Sequence, residues 1–382
     1  MRKFVVIAAA LAMVAGFLGV GESAKPPIKI GAVFSVTGSQ APLGLPEKNT
    51  VQMIVDEVNA KGGILGSKIE LIVYDDEGDN TKALTLAKKL IFNDNVVGIV
   101  GPTISGTSMA MIPAVEEAQI PNVSCAATVK IIDPVKKWVF KTAQTDRLVV
   151  EKLFTYLKEK GITKIAIITV DNPYGASGKA ELSAMAPKFG ITLVADERFG
   201  VDDTDMTTQL TKIKGTDAKA VLCWGTNPGP ARVAKGMKQL GMTIPLYQSH
   251  GVANPQFIQQ AEGAAEGNIL FASRLIVAEQ LPNSDPSKKV LLDYKKKYEA
   301  KFGAGSISTF GGHAYDSLWI LINAIKQAGS TDRAKVRDAI EKTTKFIGMT
   351  GIFNMSPTDH MGLGLDALVP IVVKNGKWSL MK

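Results

Sequence analysis

The sequence predicts an α/β protein of two similar lobes, each a parallel sheet covered by helices, around a ligand cleft. Three observations carry this expectation. Apolar runs of 4–7 residues alternate with amphipathic stretches of 11–17 along most of the chain. Parallel strands require such helical crossovers, whereas hairpins need only tight turns. The pattern also restarts near residue 148. KIGAVFSVTGSQAPLG at 29–44 and KIAIITVDNPYGASG at 164–178 both read strand, polar turn, glycine, helix. Finally, 382 residues with 46% apolar and 21% charged side chains are ordinary globular material, and exceed the roughly 150 residues of a single domain.

The elements follow in order. Residues 28–34 form an apolar strand that ends at Ser35 and Gly38. Val51, Ile54, Val55 and Val58 recur at spacings of three and four, so 45–61 is a helix, stopped by Gly62-Gly63. Strand 68–74, helix 81–92, strand 96–101, helix 105–118 and strand 121–124 complete the first series. The second opens with helix 148–160, ended by Gly161, and strand 164–170. A helix to 189, strand 192–196, helix 207–214, strand 220–224 and helix 230–240 follow. Strand 245–248, a short helix over 254–261 and strand 268–272 close it. Helices at 287–301, 310–328 and 332–343 come next, and 351–354 and 368–373 are β-like.

The first 24 residues read as a secretory signal. Arg2 and Lys3 precede an apolar run over 4–20, and Gly21-Glu22-Ser23-Ala24 supplies small residues for cleavage. An uncleaved membrane anchor is the rival reading, disfavoured because Ala and Gly dilute the run. No Cys follows it to carry a lipid, and no later run reaches ~18 apolar residues. The mature chain is expected to be soluble and exported.

Lys plus Arg is 44 against 36 for Asp plus Glu, giving a net charge of +8. The basic residues are spread along the chain. Even Lys295-Lys296-Lys297 lies between Asp293 and Glu299, as on a solvated helix face. No one-sided basic patch with interleaved aromatics exists, so no nucleic-acid partner is expected. Two Cys and three His give no metal-ligand set, and no cofactor is expected. An oxidising compartment permits a disulfide, but Cys125 and Cys223 fall in separate series and are expected as free, buried thiols.

Candidate binding residues sit where strands end. Ser105 follows strand 96–101 at the start of a helix, where unpaired N–H groups attract anions; alternatively it only caps that helix. Ala126-Ala127-Thr128 follows the next strand and reaches the same sheet edge, with small residues that let backbone approach a ligand. Enzyme motifs fail. Gly175-Ala176-Ser177-Gly178-Lys179 has Pro173 in place of the first P-loop glycine and Ala180 where Ser or Thr belongs. Gly362–Ala367 has dinucleotide spacing but no strand before it. His360 beside Asp359 reads as a surface turn, and His313 as structural.

In this order, KIGAVFSVTG (29–38), NAKGGILGSKIELIVYDDEGD (59–79), GIVGPTISGTSMA (98–110), IPNVSCAAT (120–128), VDNPYGASG (170–178) and HGVANPQF (250–257) carry a family likeness. The sequence resembles the periplasmic solute-binding proteins of ABC importers, in their leucine/isoleucine/valine-binding branch. The resemblance implies two Rossmann-like lobes of the type I fold, joined by crossovers near 143–147, 272–276 and 347–351. The lobes would be 25–145 with 274–349, and 146–273 with 350–382. It implies a monomeric binding protein without enzyme activity, with an inner-membrane ABC permease as partner. An exported sensor subunit for a signalling partner is the alternative role.

The resemblance also implies that Ser105, Ala126 and Thr128 hold a ligand's carboxylate and α-ammonium. This chain departs from it elsewhere. His250 stands where amino-acid binders place an acid, and an imidazole cannot pair with an ammonium. Leu43 replaces an aromatic residue, Thr226 replaces a tyrosine, and Glu77 and Ile104 replace a cysteine pair. Asp146 is either an ammonium partner or a helix cap. A buried ammonium without a carboxylate is costly. A carboxylate ligand without an amine, aromatic or short-chain, is therefore expected, with an amino acid held by Asp146 as the alternative. Tyr174, in the turn after a strand, and Trp224 are candidates to pack a ring; Phe310 and Tyr315, on a helix, read as core.

Overall fold

The computed structural model describes residues 25–381; the signal expected over 1–24 lies outside the described residues. One sheet contains β1 (Ile28–Phe34), β2 (Ile69–Asp75), β3 (Gly98–Val100), β4 (Asn122–Ser124) and β5 (Val139–Lys141). Its order is β2-β1-β3-β4-β5 and every pairing is parallel. The other contains β6 (Lys164–Val170), β7 (Thr192–Phe199), β8 (Ala220–Trp224), β9 (Leu246–Gln248) and β10 (Ile269–Ala272). β11 (Phe346–Ile347) and β12 (Ile352–Phe353) form a small separate ribbon. β13 (Val369–Lys374) and β14 (Lys377–Leu380) then extend the second sheet, in the order β14-β13-β10-β9-β8-β6-β7. Only these last two strands pair antiparallel there.

The two parallel cores are wound alike, β2-β1-β3-β4-β5 matching β7-β6-β8-β9-β10, which is the weak sequence repeat in structural form. In each, the strand order reverses once, between β1 and β3 and between β6 and β8. Loops diverge at such a reversal and leave a crevice outside the carboxyl ends of the strands.

Strand β6 shows why these segments read as continuous apolar runs. Ile165 and Ile167 pack with Trp224 and Tyr247 on one face. Ala166, Ile168 and Val170 pack with Val221, Cys223 and Leu270 on the other. A parallel strand covered by helices on both faces has no polar side to alternate with. Both cysteines are buried and unpaired, one in each lobe's core.

Helices α1 (Ala41–Ala60), α2 (Asn80–Phe92) and α3 (Ser105–Glu117) cover the first sheet. α4 (Asp146–Glu159), α5 (Pro173–Met185), α6 (Thr207–Lys214), α7 (Gly229–Gln239) and α8 (Pro255–Ala261) belong to the second. α9 (Lys288–Phe302), α10 (Thr309–Ala328) and α11 (Arg333–Glu341) follow, and α10 and α11 return to the first core. Helix α1 starts four residues ahead of the expected 45. Pro42 lies in its first turn, where the missing N–H is no loss, and Pro46 is tolerated inside it.

The chain passes between the sheets at 142–145, at Ser273 and between β12 and β13. Where the third crossing was expected near 347–351, Phe353, Met355, Met361, Leu363 and Ala367 still pack in the first sheet's core. We therefore propose that the first lobe extends to Ala367. The crossings are tied together: Gln144 Nε2 donates to the Thr350 carbonyl at 3.0 Å, and Asp316 accepts the Met349 and Thr350 N–H groups at 2.6 and 2.8 Å.

Candidate ligand-binding site

A cavity of about 270 Å³ opens between the carboxyl ends of the two sheets, just below the roughly 300–1,000 Å³ of most ligand sites. The first lobe contributes Gln40 and Leu43 after β1, Glu77 and Gly78 after β2, Thr103 to Gly106 after β3, and Cys125 to Ala127 after β4. The second contributes Asn172 to Tyr174 after β6, Thr226 after β8, and His250 and Gly251 after β9. Phe310 and His313, on the first turns of α10, close one side.

The start of α3 is bare. Its N-cap residue is Ile104, which offers no side-chain acceptor. The first bond down the helix is Ser108 N–H to the Ile104 carbonyl at 3.0 Å, so the N–H groups of Ser105, Gly106 and Thr107 lack intrahelical partners. Ile104, Ser105 and Gly106 all face the cavity. By contrast, Asp79, Thr145, Asn172, Asn254, Ser308 and Asp332 cap their own helices through their side chains.

His250 faces this start from the other lobe. It is buried, its Nδ1 lies 3.3 Å from the Tyr174 hydroxyl, and its Nε2 has no partner. Burial, then the Lys141 charge, holds the imidazole down at about 3, so it is neutral at ordinary pH. The Tyr174 and Phe310 rings add apolar wall. Among the described residues, Glu77 is the one carboxylate in the lining, and it is paired to Lys82 at 2.6 Å.

Of the eight sequence-predicted residues, Ser105, Ala126, Tyr174, Thr226, His250 and Leu43 line this cavity; Thr128 and Asp146 do not. Thr128 lies just behind, its N–H donating to Ser105 Oγ at 3.3 Å and its hydroxyl 2.6 Å from that of Ser177 in the other lobe. Thr226 Oγ1 donates to Gln40 Oε1 at 3.2 Å, a second contact across the cleft. Asp146 is engaged by backbone through one oxygen, its Oδ1 accepting from the Val129 and Arg147 N–H groups, both at 3.0 Å, while its Oδ2 has no hydrogen-bond partner.

Some expectations are corrected. Phe310 and His313 stand on the wall, because α10 enters the cleft end-on and its first turn faces the opposite lobe. His313 bonds Thr350 Oγ1 at 3.2 Å through Nδ1. His360 is no surface turn: it is fully buried, stacks on Phe140 with centroids 4.1 Å apart and bonds the Val139 carbonyl at 2.8 Å. Trp224 lies beneath the wall, 5.7 Å from Tyr174. Tyr315 packs at the core's margin, as expected. Gln40 and Thr103 were missed; they sit in irregular segments with no signal beyond their place after a strand.

Two lobes that meet at a mostly apolar cavity with a few convergent polar groups define a solute-binding protein. The chain belongs to the periplasmic binding protein family, whose model matches residues 27–372. A leucine-, isoleucine-, valine-, threonine- and alanine-binding protein of Pseudomonas aeruginosa is 26% identical over 334 residues, 87% of this chain and 86% of that one. An extracellular ligand-binding receptor from Rhodopseudomonas palustris HaA2 superposes with a TM-score of 0.87 at 30% identity, over 93% of this chain and 99% of that one. The branched-chain amino acid transporter substrate-binding protein LivJ of Streptococcus pneumoniae, solved with isoleucine, gives 0.81 at 27%, over 93% and 99%. These relatives are substrate-binding proteins, among them ones of the branched-chain amino acid transporter type, rather than enzymes. Among the described residues no helix is long and apolar enough to cross a membrane.

Proposed function

We propose that this protein captures a small carboxylate without an amine, an aromatic or short-chain acid, and delivers it to an inner-membrane ABC permease. In this reading it works in the periplasm as a cleaved monomer. One observation carries the ligand class: the uncapped start of α3 faces a wall whose single carboxylate, Glu77, is already paired to Lys82. The carboxylate would take the free N–H groups and the Ser105 hydroxyl. His250 would meet a ring hydroxyl or second oxygen through Nε2, and Tyr174 and Phe310 would flank a ring. An α-ammonium would find no free partner there.

Thermal unfolding against a panel of amine-free aromatic and short-chain acids, set beside leucine, isoleucine and valine, tests this. A ligand at 100 times Kd adds about 2.7 kcal/mol, which raises Tm by several degrees. Acids alone should do so. The names of the relatives favour the second reading, an aliphatic amino acid, and a shift with leucine, isoleucine or valine would establish it.

A further inference from the structure

Lys141, on β5, is a fully buried lysine. Its Nζ donates to the Ala127 carbonyl at 2.5 Å, its one side-chain hydrogen bond among the described residues, and no carboxylate lies within 4.0 Å of it. The carbonyl it touches shares a peptide unit with the Thr128 N–H, and in a trans peptide the two point in opposite directions. That N–H donates to Ser105 Oγ at 3.3 Å. The Ser105 hydroxyl, with a lone pair so occupied, keeps its own hydrogen for the cavity it lines. A cation at the carbonyl end makes the N–H a stronger donor, and that in turn makes the serine a stronger donor.

We propose that Lys141 sets the site's preference for an anionic carboxylate, as a positioning residue acting through the 127–128 peptide on Ser105. This deepens the proposed function and rests on it. The direction of the chain fixes the sign: the cation strengthens the serine's donor hydrogen, which rewards an anionic acceptor above an ammonium.

Asp146, His250, His313 and the His360 backbone surround Lys141. Asp146, on the first turn of α4, has Oδ1 engaged by backbone, and its Oδ2 has no hydrogen-bond partner. His250 and His313 are both held neutral, at about 3, first by burial. The His360 carbonyl accepts the Lys141 N–H at 3.1 Å, while its ring turns to Val139 and Glu341. Burial pulls the Lys141 ammonium down to about 7, against the pull of Asp146. The lysine is therefore partly neutral in the empty site above pH 7, and an arriving carboxylate restores its proton.

The test uses 4-hydroxybenzoate and its neutral counterpart, 4-hydroxybenzamide, titrated calorimetrically at pH 7.5 in two buffers of different ionisation enthalpy. The wild type should bind the acid at least about tenfold more tightly than the amide and take up roughly half a proton with the acid alone. Lys141→Met should bring acid and amide within about threefold of each other, leave amide affinity near wild type and abolish the uptake. Lys141→Arg, charged at all accessible pH, should restore the preference without the uptake. Acid binding without proton uptake in the wild type overturns the inference even if no variant folds. So does an undiminished preference in Lys141→Met. A wild type that binds no acid of the panel refutes the proposed function itself, which separates the two failures.

Discussion

The hydroxyls of Thr128 and Ser177 meet at 2.6 Å across the cleft, joining the turn after β4 to the body of α5. A bond of this kind exists only while the lobes are together, so it favours the closed form without touching the ligand. Ser177→Ala should loosen ligand binding about fivefold, the worth of a typical hydrogen bond near 1 kcal/mol. Isothermal titration reads the affinity, and small-angle scattering should show the unliganded variant more open. An unchanged Kd would remove the latch from the account.

His250 and His313 make a pH prediction with a definite sign. Both are held near 3 in the folded protein, against about 6.5 when unfolded. The unfolded chain therefore binds more protons between those values, and each histidine's contribution is present above pH 6.5 and lost as pH falls toward 3. At pH 5 each should cost about 2 kcal/mol relative to pH 8. Asp316 works in the opposite direction, since burial raises its carboxyl to about 7; its contribution is present at low pH and lost as pH rises toward 7. The comparison of wild type with His250→Gln in urea at pH 5 and 8 isolates the histidine. An equal pH response in both would refute its neutrality.

Gly178 sits against the Trp224 indole, and a Cβ there would fall 2.2 Å from Nε1. Gly178→Ala should destabilise by about 1–3 kcal/mol through overpacking, seen as a lower urea midpoint with unchanged slope. The same contact explains why the glycines of 175–178 imitate a phosphate loop: they serve close packing of α5 on its sheet.

Asp316 holds the Met349 and Thr350 N–H groups where the chain approaches its last crossing. Asp316→Ala leaves two buried donors without an acceptor, at about 1–3 kcal/mol each. Hydrogen exchange should then quicken at 349 and 350 ahead of the sheet cores. Asp316→Asn keeps a carbonyl acceptor and should lose less.

Much of the architecture was legible because it depends on periodicity. β6, α6 and β8 have the bounds read from the sequence, since β6 and β8 are continuous apolar runs and clear turns flank all three. β5 was missed because three residues ending in Lys141 make no apolar run, and the strand owes its place to β4 beside it. In the site, residues just after strands were legible from their position, as with Ser105, Ala126 and Tyr174. Phe310 and His313 were not, because a residue at the start of a helix reads as core until the opposite lobe is in place. Lys141 carried no sequence signal, since burial of a lysine is a tertiary fact.

The interleaving of the two lobes along the chain has a consequence for biogenesis. Leu318, Leu321 and Ile325 of α10 pack with Ile30 and Ile99 of β1 and β3, and residues as late as Ala367 complete that core. The lobe that opens the polypeptide thus cannot complete its interior until the chain has run to Ala367. A growing or translocating chain therefore carries its first lobe with an unfinished interior until most of its length has emerged.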